Sequence, residues 1–476
     1  MEKANPKVSD SDDTRSPSEN EKHIEGGVPV NVVTVPDPDE GLSEEERKRI
    51  DRKLLWKLDI QLIPWLCLLY LISFLDRTNI GNAKIDGLQE DLNLTNNEYN
   101  DTLTIFFISY SLFEPLTQIL LKRFRPSIFL PTIMVLWGVN YYLSCWYRRS
   151  EFGIRAAIFF SAAALAGSFG GLLAAAIVQM DGVGGKPGWA WIFILEGLAT
   201  IIIAGLSYFM VHDFPDEAKF LSEDDRRRVI RRLKLDKQSS AEHEAFKMQY
   251  FWSAAKDWKT WTGAIIYMGC DGALYAFSLF IPTIIQQMGY KSIHAQLLSV
   301  PPYAVAAVVT IFVGFVADRT GMRGYCNMVM ALFGIVGFAM LLGSGVPHVQ
   351  YAGVFLGAMG IYPCIPNTIT WTANNVEGVY KRGIALGFVI GWGNLNGIMS
   401  SNIYRAQDKP RYRPGHAVVL GYEALFLLGG SFLQHVLLRR ENAKRRAGER
   451  DVWVEGKTEE EIDKLGDLRP DFIYTL

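Results

Sequence analysis

An acid and a base lie side by side within an otherwise apolar run of the chain. Asp76 and Arg77 belong to the stretch 74–83. Neighbouring residues on a helix point about 100° apart, so the two side chains can meet different partners. We expect Arg77 to face a cavity and to bind a carboxylate with its planar fork, Asn79 to take part in substrate binding, and Asp76 to pair elsewhere. The alternative is a structural ion pair near the outer membrane interface.

Carboxylic acids within apolar stretches of the chain are candidates for proton coupling. They are Asp76, Glu114, Glu196 and Asp271. A charge inside hydrocarbon is expensive, and loss of water makes a carboxylate easier to protonate, as coupling to a proton gradient requires. Asp271 has Tyr267 and Tyr275 at four residues before and after it, on the same helical face. The alternative, which is favoured for any single acid, is a hydrogen bond between helices.

Polar and aromatic residues also cluster late in the chain. Asn367, Trp392 and Asn394 lie in apolar stretches and could line a pocket for a small planar polar solute. Hydrogen bonding between helices explains the same residues equally well. They are therefore candidate substrate-binding residues together with Arg77 and Asn79.

A short motif at the end of an apolar stretch predicts a gate. The segment 317–323 contains Asp318, Arg319, Gly321 and Arg323. An acid, a turn glycine and basic residues at a cytosolic helix junction can latch neighbouring helices in one state and release them in another. The corresponding segment of the first half, 121–126, has no aspartate.

The elements that position these residues are membrane-spanning helices. Hydrophobic residues make up 49% of the 476 residues, and 43 glycines allow close helix contacts. A span takes about 20 apolar residues. Eleven stretches qualify: 58–80, 102–121, 128–147, 155–178, 189–211, 261–286, 297–317, 325–344, 350–373, 383–404 and 417–438. The expected fold class is an all-α polytopic membrane protein.

A long polar stretch divides five of these spans from the other six. The boundaries predict a disordered cytosolic N-terminal tail, an N-terminal helical bundle, a cytosolic linker with a surface helix, a six-helix C-terminal bundle and a cytosolic C-terminal tail. These regions cover 1–57, 58–211, 212–260, 261–438 and 439–476, respectively.

The charged loops indicate that part of the N-terminal bundle is missing. Basic residues mark cytosolic loops, yet the single stretch 128–147 joins the basic segment 122–125 to the basic segment 148–155. We interpret it as two half-helices fused near Gly138-Val139-Asn140, with roughly 25–35 residues absent. The alternative is a re-entrant or interfacial segment.

The same charge rule places the acidic loop after the first span on the outer side. Asn93 and Asn100 lie in or next to this loop, each in an N-x-T motif, and are therefore glycosylation candidates.

Nothing in the sequence indicates catalysis. We find no phosphate-binding loop, no nucleophile–base motif and no metal-ligand spacing, so we expect neither enzyme activity nor a bound cofactor, and no nucleic-acid partner. The five cysteines are odd in number and lack a CxxC spacing, which favours packing thiols. The lack of a phosphate-binding loop argues against ATP as an energy source, and we expect a monomer in the lipid bilayer.

Four segments together carry a family resemblance. The stretch 74–83, the run 191–197, the motif 317–321 and the region 367–375 resemble the fungal anion:cation symporter family of the major facilitator superfamily, the allantoate-permease-like group. The match extends over about 58–440, and the chain is most similar to nicotinic acid permeases within the group. The resemblance implies two six-helix bundles, here eleven apparent spans instead of twelve. It also implies proton-coupled uptake of a small organic anion, a nicotinate-like monocarboxylate or related vitamin, across the plasma membrane.

Two departures from the family pattern leave other functions open. The segment missing near Gly138 carries an arginine and a glutamate in the family, and Pro115 is displaced relative to the family's proline after Glu114. The alternatives are an exporter of a secondary metabolite, and a transport-defective or sensor-like variant.

Overall fold

The structure is a computed structural model that describes residues 38–39, 41–123, 143, 146–235, 248–458, 461–462 and 465–476, with the helix backbone alone for 110–123. Every regular element in these ranges is a helix. Eight of the described helical segments are long and apolar enough to cross a membrane. The predicted all-α polytopic fold is therefore confirmed.

The first half of the chain contributes four long helices and the two helices of the linker. The long helices are α1 Glu44–Ala83, α2 Asn96–Arg123, α3 Arg149–Ile177 and α4 Gly188–Met210. The linker helices are α5 Glu223–Leu235 and α6 Met248–Ala255. Short helical turns extend or follow α1 and α3: Lys84–Leu88, Gln89–Asp91, Val178–Met180 and Val183–Gly185.

The second half consists of helices that are more often interrupted. They are α7 Trp258–Gln287, α8 Ser292–Thr320, α9 Arg323–Gly343, α10 Pro347–Ile361, α11 Cys364–Asn374, α12 Val379–Asn394, α13 Asn396–Asn402, α14 Arg413–Tyr422 and α15 Gly430–Arg446. A π-helical segment, Glu423–Gly429, joins α14 to α15. Single 3₁₀ turns occur at Ala406–Asp408, Asp451–Trp453 and Gly466–Leu468.

Two predicted boundaries differ from the structure. Helix α1 begins at Glu44, so 44–57 belongs to a helix and not to a disordered tail. The reason is a capping box: Ser43 Oγ accepts from the Glu46 backbone N–H (3.3 Å), and the Ser43 N–H donates to Glu46 Oε2 (3.0 Å). The predicted span 350–373 is two helices, α10 and α11, which separate at Tyr362-Pro363. Most of 128–147 lies outside the described residues, so the fusion near Gly138 stays a prediction.

Small residues bring α3 of the first half against α8 of the second half. A Cβ added at Gly314 would lie 2.3 Å from Ala157 Cβ, and one added at Gly171 would lie 2.7 Å from the Gln296 carbonyl oxygen. A Cβ at Gly167 would meet the ring of Tyr303 at 2.8 Å. Side chains at these positions would force the helices apart, which is why small residues favour close packing in membranes.

The segment 465–476 is packed against the ends of the C-terminal helices. The Trp371 indole N–H donates to the Thr475 carbonyl (2.9 Å), and the Asn375 side chain exchanges two hydrogen bonds with the Thr475 backbone (2.8 and 3.0 Å). Arg445 donates to the Phe472 carbonyl (2.5 Å) and to the Tyr474 hydroxyl (2.7 Å). This part of the predicted C-terminal tail is thus an ordered piece of the bundle.

Four buried charges attach the same segment to α7 and α12. Lys259 and Lys381 each lie 2.8 Å from both Asp257 and Asp467. Burial works against ionisation of Asp257, but the charges of the two lysines outweigh it and hold the pKa of Asp257 below its usual range. The alternation of signs allows four charges to be buried together.

Candidate functional site

Arg77 lies where α1 of the first half meets α7 and α12 of the second half. Its Nη1 donates to the Tyr275 hydroxyl (3.0 Å), and this hydroxyl donates to Asn394 Oδ1 (2.5 Å). The guanidinium carbon lies 5.4–5.8 Å from the ring centroids of Tyr275, Phe74 and Phe106. A cation among aromatic rings, at the boundary between the two halves, is suited to a planar anion. The structure thus brings together two of the predicted substrate-binding residues.

Asp271 is buried beside this group. Its exposed fraction is 0%, and neither carboxyl oxygen has a hydrogen-bond partner among the residues described. It interacts electrostatically with Arg77. A Cβ added at Gly393 would lie 3.2 Å from Asp271 Oδ2 and 2.2 Å from the Tyr267 ring, so only glycine lets α12 approach α7 here. An isolated ionised carboxylate in such surroundings is costly, which makes Asp271 a candidate functional group.

Asp76 and Asn79, the two other predicted site residues of α1, contact α4 of the same half. Thr200 Oγ1 donates to Asp76 Oδ2 (2.9 Å), and Asn79 Nδ2 donates to Glu196 Oε2 (2.5 Å). Asp76 and Arg77 therefore have separate partners, as their 100° offset allows. Asn79 is directed at Glu196, so the structure places it in a helix–helix contact of the N-terminal half.

Three further predicted site residues lie away from Arg77 or outside the described side chains. Asn367 Nδ2 donates to the Arg323 carbonyl and to Asn327 Oδ1, both at 2.8 Å, which places it at the predicted gate. Trp392 is 44% exposed, with its ring edge on Trp261 (5.9 Å). The Glu114 side chain falls within 110–123, where only the helix backbone is described. Sequence spacing could not separate Trp392 from the site, because it lies in the same apolar stretch, 383–404, as Asn394.

The predicted gate residues connect the two halves. Asp318 pairs with Arg323 and accepts from the backbone N–H of Ile154 at the start of α3 (2.5 Å). Arg323 also donates to Asn367 Oδ1 (3.1 Å). Gly321 ends α8 with φ +66°, a conformation that favours glycine. Arg319 is exposed and lies outside this group.

A second contact between the halves was not predicted. Asp86, in the π-helical turn after α1, accepts from Ser292 Oγ (2.6 Å) and from Gln296 Nε2 (2.5 Å) at the start of α8.

A further buried acid, Glu423, was also not predicted. It is buried against Gly334, and neither of its carboxyl oxygens has a hydrogen-bond partner in the described part of the chain. The signal for Glu423 was present, since it is an acid within the predicted span 417–438.

The two glycosylation candidates differ in accessibility. Asn93 is exposed in the loop before α2. Asn100 is 7% exposed within α2, and its backbone carbonyl accepts from Thr104. The structure therefore leaves Asn93 as the suitable site.

Comparison with known proteins now identifies the family. The model described as Major Facilitator Superfamily matches residues 138–401. An MFS-type transporter of Penicillium expansum, cnsO, is 32% identical over 89% of this chain and 90% of its own length. The chain belongs to the major facilitator superfamily. A high-affinity nicotinic acid transporter of Saccharomyces cerevisiae is 31% identical over 89% of this chain and 85% of its own length. The MFS transporter prlL of a fungal species is 34% identical over 78% and 83%, respectively.

Membership of the major facilitator superfamily decides the general function. The chain is a multi-pass membrane transporter with a small-molecule substrate, and it is not an enzyme. The alignment with cnsO runs over 470 positions but contains only 89% of the 476 residues of this chain. Some residues of cnsO within the alignment are therefore opposite gaps in this chain.

Proposed function

We propose that this facilitator takes up a small organic anion together with a proton, as a member of the allantoate-permease-like group of fungal anion:cation symporters. The observation that carries the proposal is the hydrogen-bonded chain from Arg77 through Tyr275 to Asn394 across the boundary between the halves. A nicotinate-like monocarboxylate is favoured by the relative named as a nicotinic acid transporter. The proton gradient supplies the energy without a bound cofactor, and the protein acts as a monomer in the plasma membrane.

The binding step rests on the surroundings of Arg77. A guanidinium can hold a carboxylate with two parallel hydrogen bonds. The rings of Phe74 and Phe106, with centroids 5.5 and 5.8 Å from the guanidinium carbon, offer apolar faces for a planar aromatic acid. The Tyr275 hydroxyl fixes the fork through its hydrogen bond with Nη1. Charge and shape together favour a flat monocarboxylate.

The coupling step rests on the position of Asp271. When Asp271 is ionised, it attracts the guanidinium of Arg77 and competes with the substrate carboxylate. When Asp271 takes up a proton, this competition ends and Arg77 is available to the anion. Proton and anion then bind together, and neither charge crosses the membrane unbalanced.

Alternating access rests on the contacts on either side of the site. At the predicted cytosolic face, Asp318 joins α8 to α3 through its hydrogen bond with the Ile154 backbone. At the predicted outer face, Asp86 joins the end of α1 to α8 through its hydrogen bonds with Ser292 and Gln296. Transport through a site between two such contacts requires each to open in turn. Release of one contact while the other stays closed moves the substrate in one direction.

Uptake of labelled nicotinate into cells that lack their own carrier tests the proposal. We expect uptake to rise at acidic external pH, and Arg77→Ala to abolish it. Arg77→Lys keeps the charge but loses the planar fork, so it should bind more weakly. Asp271→Asn imitates the protonated acid, so exchange of substrate should persist while accumulation driven by the proton gradient is lost.

Glu196→Gln is the matched control, because Glu196 is also a buried acid but is bound to Asn79 in the N-terminal half. It should keep pH-dependent accumulation. Uptake that does not depend on pH in the unmodified protein would exclude proton coupling. Loss of accumulation in both acid variants alike would remove the special role of Asp271, and net outward movement of the label would favour an exporter.

The predicted gap near Gly138 bears on the activity of this transporter. The cnsO alignment, which has positions without a counterpart here, supports a gap within the match. Sequencing of the transcript across Gly138-Val139-Asn140 decides its origin. An additional in-frame segment would restore a twelve-span carrier, whereas an uninterrupted transcript would make the chain a remodelled or transport-defective variant.

A further inference from the structure

A groove of about 580 Å³ runs between the first turns of α9 and most of the length of α15, from Phe432 to Ala443. Its apolar part includes Val329 and Leu332 of α9 and Phe432 of α15, all of which are exposed on the outside of the bundle. Since this surface faces lipid in a membrane, an acyl chain is the natural neighbour of these side chains. The groove is separate from the site around Arg77.

The groove changes from apolar to basic along its length. Helix α9 begins at Arg323 and α15 ends at Arg446, so both helix ends lie at the same face of the bundle. Phe432 lies deeper, and Arg440 follows about two turns later, roughly 12 Å along the helix axis. The basic end therefore lies at the predicted cytosolic interface, where lipid headgroups are found.

Two arginines at this end are available to a ligand. Arg439 and Arg440 line the groove, are exposed, and form no ion pair with any residue that the structure describes. Nearby bases are already used: Arg450 binds Glu441 (2.7 Å), and Arg445 binds the Phe472 carbonyl (2.5 Å). Arg439 and Arg440 are thus free to bind a ligand in the groove, whereas Lys444 and Arg446 of the same helix lie outside it.

A buried histidine forms part of the groove wall between these regions. His435 is 5% exposed, its ring lies 4.5 Å from the ring of Tyr325, and its Nδ1 has no hydrogen-bond partner in the ranges described. Arg439 interacts with it electrostatically. A Cβ added at Gly324 would lie 3.1 Å from His435 Nδ1, so the groove wall adjoins the residue next to Arg323 of the gate.

We propose that this groove binds an anionic phospholipid of the cytosolic leaflet. Its phosphate lies between Arg439 and Arg440, and one acyl chain lies along Val329, Leu332 and Phe432. Basic pockets between membrane helices on the cytosolic side suit anionic headgroups, and arginine binds phosphate with two hydrogen bonds. The bound lipid joins α9, which begins at the gate residue Arg323, to α15.

Lipid retention by the purified full-length protein tests the proposal without any need for transport. Protein in detergent is titrated with phosphatidylserine or phosphatidylcholine, and bound lipid is counted by native mass spectrometry. We expect a preference for phosphatidylserine that falls about 30-fold in the double variant Arg439→Gln/Arg440→Gln. The reason is that each basic residue near the membrane surface strengthens the binding of anionic lipid about fivefold. The matched control is Lys444→Gln/Arg446→Gln, which removes the same charge from α15 outside the groove and should keep the preference.

A second variant tests the apolar half independently. Leu332→Trp fills the groove without a change in charge and should also displace phosphatidylserine. Equal loss in the groove and control double variants would show attraction to surface charge only, and equal retention of phosphatidylcholine would show a general lipid or detergent site. Either result overturns the proposal, as does unchanged binding in Leu332→Trp. Size-exclusion profiles confirm that each variant is folded.

Discussion

Replacement of Tyr275 with phenylalanine removes one oxygen atom from the centre of the site and keeps the ring. That oxygen accepts from Arg77 (3.0 Å) and donates to Asn394 (2.5 Å). A hydrogen bond to a charged group contributes roughly 1.5–3 kcal/mol, and the guanidinium loses it here. If the hydroxyl positions Arg77 for the substrate, binding should weaken by ~10- to 150-fold. The expected result is a raised KM for anion uptake with little change in the amount of protein at the membrane.

Tyr267 on the same helix supplies the control for this prediction. It is fully buried like Tyr275, but its hydroxyl has no hydrogen-bond partner among the described residues. Removal of an unsatisfied buried hydroxyl costs little and can stabilise the protein. Tyr267→Phe should therefore leave KM unchanged.

The assay is labelled uptake over a range of substrate concentrations, with binding to the purified protein measured in parallel. An unchanged KM in Tyr275→Phe would refute the positioning of Arg77 by this hydroxyl. Equal losses in Tyr275→Phe and Tyr267→Phe would show that tight packing in α7, and not the hydrogen bond, sets the affinity.

Three further predictions concern the gate, the outer loop and the C-terminal segment. Asp318→Asn removes a charge that pairs with Arg323 of α9 and so weakens the gate. Cysteines of the protein should then react more with a labelling reagent added from the cytosolic side. Arg319→Gln changes an exposed residue outside the gate and should not have this effect. Asn93→Gln should abolish a glycosidase-sensitive shift on gels, and Asn100→Gln should leave it, because Asn100 is buried. The pKa of Asp257 is held low in the folded protein. Its stabilising contribution is therefore present at neutral pH and lost as the pH falls through that pKa, so proteolysis of 465–476 should increase in acid; a pH-independent rate would contradict this.

The spans themselves were predictable because length and apolar composition are local properties. Ten of the eleven predicted spans coincide with described helices or helix pairs, and 128–147 lies largely outside the described residues. The separation of Asp76 from Arg77 followed from helix geometry alone. The start of α1 was missed because a charged segment resembles a disordered tail, although the capping box at Ser43 was visible in the sequence.

The sequence by itself determined the membrane class, the family resemblance and a short list of buried charges. Only the tertiary structure decided which partner each charge contacts: Arg77 contacts Tyr275, Glu196 contacts Asn79, and Asp318 contacts the Ile154 backbone. These pairs join residues far apart in the chain. Hydropathy reports how each residue prefers lipid to water, whereas the choice of partner depends on how helices pack, and that is fixed by contacts between distant segments.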